Sequence, residues 1–168
     1  KEILKRTLVR MLICCVIALL FCITGNAKVP YIPKIINYSV SDYKAGNQNW
    51  AVSQGPGGKM YIGNNRGLLV FDGIHWDLVK LPNNLGVRAL YISKDGRIYV
   101  GSFEEFGYFE MDDENDLIYH SLSSSEMNVY LNNDEFWTIN EYKGEIYFQS
   151  FRSFFIYDGE KVRKGVSD

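Results

Sequence analysis

Cysteine is absent after Cys22, and the three present, Cys14, Cys15 and Cys22, all lie in one apolar stretch near the start of the chain. No disulfide framework can hold the remainder together, so a packed core must do so. An excess of positive charge is also missing. Eighteen Lys and Arg stand against twenty Asp and Glu, a net charge of −2, and a region that binds a phosphate backbone needs a basic face. Nucleic acid is therefore excluded as a partner of this region. Histidine is scarce: His75 and His120 are the two available, and neither lies near a Ser or Cys in a nucleophile setting. They also lack an acidic or cysteine partner at metal-ligand spacing. No Gly-rich phosphate loop leads into a helix. The expectation is no catalytic residue, no metal and no cofactor. What the chain has in quantity is aromatics, with twelve Tyr, ten Phe and three Trp. Such side chains fit a pleated, half-buried surface and favour strands.

These aromatics recur in a pattern. A turn followed by an aliphatic–aromatic pair occurs at Gly58-Lys59-Met60-Tyr61-Ile62-Gly63, at Gly96-Arg97-Ile98-Tyr99-Val100-Gly101 and at Gly144-Glu145-Ile146-Tyr147-Phe148-Gln149. A second phrase follows each copy: Leu69-Val70-Phe71-Asp72-Gly73, Tyr108-Phe109-Glu110-Met111-Asp112 and Phe155-Ile156-Tyr157-Asp158-Gly159. Two linked motifs recurring in register about 40–50 residues apart mark a modular array. Asp-Gly between alternating runs is a hairpin signal, because Gly tolerates the positive φ of the tight turn. Each repeat resolves into four strand-sized pieces: 50–53, 60–63, 68–71 and 75–80; then 87–93, 98–101, 107–111 and 117–122; then 136–142, 146–149, 154–157 and 161–164. The predicted fold is all-β, a partial β-propeller of about three four-stranded antiparallel blades. The structural rival is a sandwich of two sheets, which need not repeat its motifs in register. Three blades do not close a ring, since propellers use about four to eight, so the chain reads as part of a longer array.

Ahead of the blades, Lys1, Lys5, Arg6 and Arg10 form a basic leader to the apolar run Met11 to Ile23. That run is shorter than the roughly 20 residues that span a bilayer and suits the core of a signal peptide. Gly25-Asn26-Ala27 places small residues where a signal peptidase cuts; a short retained anchor is the alternative. The expected organisation is 1–27 signal peptide or anchor, 28–48 lead-in with an outer strand at Lys34 to Ser39, 49–86 blade one, 87–123 blade two, and 124–168 linker and blade three.

Several strings resemble the periplasmic sensor propellers of Bacteroidetes regulators, the two-component-regulator propeller type with a following triple-tyrosine domain. They are Ile36-Asn37-Tyr38 through Asp42-Tyr43, Gly46-Asn47-Gln48-Asn49-Trp50, Tyr61-Ile62-Gly63-Asn64-Asn65 with Gly67-Leu68, Gly101-Ser102-Phe103-Glu104-Glu105-Phe106-Gly107-Tyr108, and Glu135-Phe136-Trp137 with Tyr147-Phe148-Gln149-Ser150-Phe151. The resemblance implies an exported propeller on the periplasmic side of the inner membrane. It implies the remaining blades, the triple-tyrosine domain and a receptor homodimer as partners, with a DNA-binding or histidine-kinase output beyond the membrane. It also implies an oligosaccharide as ligand. None of those downstream parts is in this sequence.

Within a blade, the loop joining strands two and three shares a face with the linkers between blades. Asn64, Asn65, Arg66, Phe103, Glu104, Glu105, Phe106 and Arg152 are therefore the candidate ligand contacts. Amides and arginines bond hydroxyls or acidic groups and aromatics stack on sugar rings; yet Asn and Ser are also ordinary turn formers. The acidic stretch Asp112 to Asp116 has Leu117 where a calcium loop wants Gly, and reads as a solvated turn. The expected role is ligand sensing in a signalling receptor. The rivals are a propeller lyase or glycosidase and a purely structural interaction domain. A glycosidase would need two carboxylates across a cleft, whereas Glu104 and Glu105 are adjacent and would point opposite ways on a strand.

Overall fold

The computed structural model of the chain describes residues 1–23 and 32–166. It comprises two units, Lys1–Ile36 and Asn37–Asp168. The first holds helix α1 (Glu2–Ile23). Among the described residues no helix is long and apolar enough to cross a membrane. The expected cleavage position at Gly25-Asn26-Ala27 lies outside the described residues.

The second unit is three sheets. The first contains β1 (Asn49–Gln54), β2 (Met60–Asn64), β3 (Gly67–Phe71) and β4 (Trp76–Val79). The second contains β5 (Ala89–Ile92), β6 (Ile98–Gly101), β7 (Phe106–Met111) and β8 (Leu117–Ser121). The third contains β9 (Phe136–Tyr142), β10 (Glu145–Ser150), β11 (Phe154–Tyr157) and β12 (Val162–Lys164). Each is an antiparallel meander in chain order. Tyr61, Tyr99 and Tyr147 lie on the second strand of their sheets, paired across to Val70, Tyr108 and Ile156 on the third.

The turn between the third and fourth strands is built the same way three times. Asp72 Oδ1 accepts the N–H groups of Ile74 and His75, Asp112 Oδ1 those of Glu114 and Asp116, and Asp158 Oδ1 those of Glu160 and Lys161. A short carboxylate bonding its own backbone two to four residues on closes the turn locally. The acidic stretch at Asp112 is thus a turn, as its composition implies.

The sheets stack face to face as successive blades, with one apolar cluster per crevice. Tyr61, Leu68 and Val70 of the first meet Val87, Ile98, Val100 and Phe109 of the second. Ala89, Tyr99 and Phe106 of the second meet Phe136, Ile139, Ile146, Phe148, Phe155 and Tyr157 of the third. Alternation along β3 serves both flanks: Leu68 and Val70 face the second sheet, while Leu69 joins Tyr43 and Ala45 on the other side. Phe106, Phe109, Phe136 and Phe148 have no exposed surface.

The lead-in corrects the expectation of an outer strand at Lys34 to Ser39. Residues 32–39 form no strand, and the chain turns instead into helix α2 (Val40–Tyr43). The Asp42 carboxylate accepts both the Ser39 N–H at 2.6 Å and the Ser39 hydroxyl at 2.7 Å, which nucleates the turn. Lys44 ends it in the left-handed region, φ 51°. The two later linkers do likewise, with a helical turn at Pro82–Asn84 and another at Ser125–Met127 running into α3 (Asn128–Leu131), and left-handed Asn83 and Asn133. Each of the three carries one buried anchor: Tyr43, Leu81 or Leu131. The lead-in is therefore a third blade linker. Tyr38 packs edge-on against Phe71 and Trp76 rather than entering a ladder.

Candidate functional site

The register places the β2–β3, β6–β7 and β10–β11 loops at the same edge as the linkers, because Asn49 pairs with Asn64, Ala89 with Gly101 and Phe136 with Ser150. One buried polar residue per blade ties loop to linker there. The Asn64 amide donates to the carbonyls of Gly46 and Gln48 and accepts from the N–H of Gly46 and Arg66. The Ser102 hydroxyl donates to the Gly86 carbonyl at 2.6 Å. The Ser150 hydroxyl donates to the Asp134 carboxylate. Two of these residues also hold the following blade: the Asn64 carbonyl accepts Val87 N–H and the Ser102 carbonyl accepts Phe136 N–H.

At the inner end of this edge the ladder skips one residue. Asn49 and Ala51 pair with Asn64 and Gly63, leaving Trp50 out; Phe136 and Thr138 pair with Ser150 and Gln149, leaving Trp137 out. Such bulges re-aim a side chain. Arg88 holds the corresponding place in the second blade, one residue before Ala89. The three side chains converge. The Arg88 guanidinium lies 4.5 Å from the Trp50 ring centroid, and the Trp50 and Trp137 rings meet edge to face at 5.6 Å.

Polar groups hold this cluster in place. Arg88 Nε donates to Glu135 Oε1 at 2.7 Å and Nη1 to Asn65 Oδ1 at 2.6 Å. Trp50 Nε1 donates to the same Asn65 oxygen, and Asn65 Nδ2 donates to Gln48 Oε1. The arginine charge is thus met by a carboxylate and spread over an aromatic face. Phe151 packs at a tilt against Trp137, ring centroids 5.6 Å apart, and is 79% exposed. Trp50 is 40% exposed. The result is an aromatic platform with one fixed, neutralised cation at its centre.

The predicted contacts are sorted by this geometry. Asn65 is part of the cluster. Arg66 and Arg152 are exposed on the same edge, and Phe103, bridged to Glu135, is 41% exposed. Glu104 stands at a cleft of about 650 Å³ with Val129, Leu131 and Asn132, and its carboxylate accepts Asn133 N–H. Arg152 lies instead over a cleft of about 450 Å³ on the far flank of the third sheet, with Tyr147 and Phe154.

Three candidates are corrected. Asn64 and Phe106 have no exposed surface: the first is consumed by its linker, the second by the core. Glu105 Oε1 accepts the hydroxyls of Tyr119, Ser121 and Ser123, an internal tie; burial, and then the Glu105 charge and bond, raise the Tyr119 phenol. Sequence reasoning passed over Trp50, Glu135 and Trp137 as contacts. Their signal was a tryptophan at a near-equal distance before Tyr61 and before Tyr147.

No protein-family model matches the chain, and no curated protein matches it. Solved structures do. The chain is similar to the extracellular domain of the one-component system BT4673 from B. thetaiotaomicron, at 12% identity and a TM-score of 0.64 over 80% of this chain and 19% of that one. A second structure, of the extracellular domain of the hybrid two-component system BT4673, matches at 14% identity and a TM-score of 0.56, over 73% and 17% of the two chains. Virginiamycin B lyase from Staphylococcus aureus matches at 18% identity and a TM-score of 0.53, over 70% and 42%. The chain spans about a fifth of the length of the BT4673 domain. At these identities the likeness is one of fold, and the fold is a run of three propeller blades of the kind that builds these sensor ectodomains.

Proposed function

We propose that this region is the extracytoplasmic ligand-sensing propeller of a transmembrane signalling receptor, exported to the periplasmic side, and that its ligand is a glycan. The observation that carries the reading is the Trp50–Arg88–Trp137 cluster, three equivalent positions that converge on one place, two of them re-aimed by a skipped residue in the ladder. An aromatic platform edged by amides and exposed arginines offers stacking to apolar sugar faces and hydrogen bonds to hydroxyls. The likeness to the BT4673 sensor domains supports the setting. The role implies further blades, a triple-tyrosine domain and a second receptor copy as partners. Signalling would then follow from differential affinity for two receptor arrangements, since a ligand can shift an equilibrium only by that difference.

The test is calorimetric titration with a panel of oligosaccharides, comparing the natural chain with Trp50→Ala and Phe151→Ala. Saturable binding to the natural chain, weakened at least tenfold in both variants, is the expected result. Binding that survives both substitutions would move the site off this platform.

The likeness to virginiamycin B lyase raises a second reading, a propeller enzyme. The carboxylates at the linker edge are engaged: Glu135 by Arg88, Glu105 by three hydroxyls, Glu104 by a backbone N–H and Asp134 by Ser150. Release of new reducing ends or unsaturated products from the same panel would favour the enzyme.

A further inference from the structure

The opposite edge of the blades holds a further cleft, between the second and third sheets, of about 310 Å³. That is at the lower end of the range for small-molecule sites, about 300–1,000 Å³. Its lining includes Asp95, Arg97 and Tyr99 from the second blade and Glu141 and Tyr157 from the third. Tyr99 and Tyr157 are each at least nine-tenths buried, so these rings form walls rather than surface.

The repeat itself tells whether these polar groups are required by the fold. Register matches Val70 to Tyr108, since each pairs with the tyrosine of its second strand. It matches Phe109 to Tyr157, which pair with Ile98 and Ile146, and Ile92 to Glu141, which pair with the same two isoleucines from the other side. In the crevice between blades one and two, Val70, Ile92 and Phe109 pack with Tyr61 in a continuous apolar cluster. In the crevice between blades two and three, the same three places hold Tyr108, Glu141 and Tyr157. The blade-to-blade contact closes well with apolar side chains, yet here it carries two phenols and a carboxylate, of which Tyr157 and Glu141 line an open space. Departures from a local packing rule of this kind mark functional positions.

The chemistry of the lining narrows the ligand. Arg97 is already met, lying 3.3 Å from Glu110 and 3.8 Å from Asp95, with its guanidinium over the Tyr108 ring. Glu141 accepts the Tyr91 hydroxyl at 2.7 Å and Asp95 accepts the Ser93 hydroxyl, which fixes both carboxylates and leaves each with further acceptor capacity. Glu110 lies outside the lining, where it pairs with both Arg97 and His120, so within the cleft Asp95 and Glu141 face an Arg97 that is already met and the exposed lip residue Lys94. Aromatic faces beside carboxylates with unused acceptor capacity attract an ammonium group. We propose that this cleft is a binding site for a small organic amine in its protonated form, held between Asp95 on one blade and Glu141 on the next.

The probe is putrescine, with 1,4-butanediol as its uncharged counterpart and succinate as its doubly negative one, titrated into the full chain by calorimetry. Putrescine should bind saturably and the other two should not. Glu141→Gln should weaken putrescine binding at least tenfold, and Glu141→Ile, which installs the residue used in the first crevice, should abolish it. Tyr157→Phe, the residue used at the equivalent Phe109, serves as a second variant with the fold retained and should also weaken binding. Failure of the folded natural chain to bind putrescine, equal binding of butanediol or succinate, or an unchanged affinity in Glu141→Gln would each overturn the proposal. Because the cleft lies at the edge away from Trp50, Trp50→Ala should leave putrescine binding unchanged; a loss there would equally overturn it.

Discussion

Trp50 and Trp137 stand at the same skipped position in blades one and three, and their rings meet at 5.6 Å across the blade between them. They can meet because the intervening blade offers Arg88 there, a flat side chain that lies on the Trp50 face and reaches Glu135.

The first prediction concerns that arginine. Arg88→Lys keeps the charge but loses the planar fork that serves Glu135 and Asn65 together. Both Arg88→Lys and Arg88→Ala should lower stability, the alanine variant more, by about 2–3 kcal/mol because it leaves a half-buried carboxylate unpaired. Urea titration followed by tryptophan emission checks it. Equal stability of Arg88→Ala and the natural chain would show that the ion pair is idle.

Loop-to-linker ties should rank by the number of bonds each makes. Asn64→Ala strands several buried backbone groups and should cost about 2–3 kcal/mol; Ser150→Ala loses a bond to a carboxylate; Ser102→Ala loses one neutral bond, about 1 kcal/mol. Denaturant midpoints of the three single variants give the order, and a reversed order would refute it.

Asp72 sets an acid dependence. Its carboxyl is drawn down to about 2, first by the His75 and Ile74 backbone N–H bonds and then by the His75 side chain. A depressed folded value means the stabilisation is complete above the ordinary carboxylate value and is lost as pH falls through about 2. Asp72→Asn should therefore flatten the stability profile at the acid end and lower stability at neutral pH, the two proteins converging as pH falls through about 2. Thermal melts across that window decide it.

Tyr91 sets an alkaline one. The bond to Glu141, then burial, pushes its phenol up to about 12. The associated stability is complete below the ordinary tyrosine value near 10 and is lost as pH rises toward about 12. Tyr91→Phe should show a flatter profile over that interval; an identical profile would mean the bond contributes nothing.

Much of the blade architecture was legible because it is local chemistry. Asp-Gly turns, period-two alternation and the tyrosine on each second strand all write themselves into short stretches. The lead-in was misread for the same reason: Lys34 to Ser39 has strand-like residues, but a strand needs a neighbour, whereas the Ser39–Asp42 bonds need only each other. Among the proposed contacts, Asn64 and Phe106 failed because exposure is not local. A loop asparagine looks the same whether it faces solvent or holds a linker, and only the stacked third blade buries Phe106. The Trp50 and Trp137 cluster depends on a one-residue slip between strands, which no spacing count reveals.

That slip has an evolutionary corollary. A residue left out of the ladder owes nothing to its partner strand, so its identity can change without altering which side chains face the core. Trp50, Arg88 and Trp137 already show two chemistries at one position of a common scaffold. When a blade is duplicated, the copy inherits its packing intact and one vacancy of meaning at the rim, to be respelled independently of its siblings.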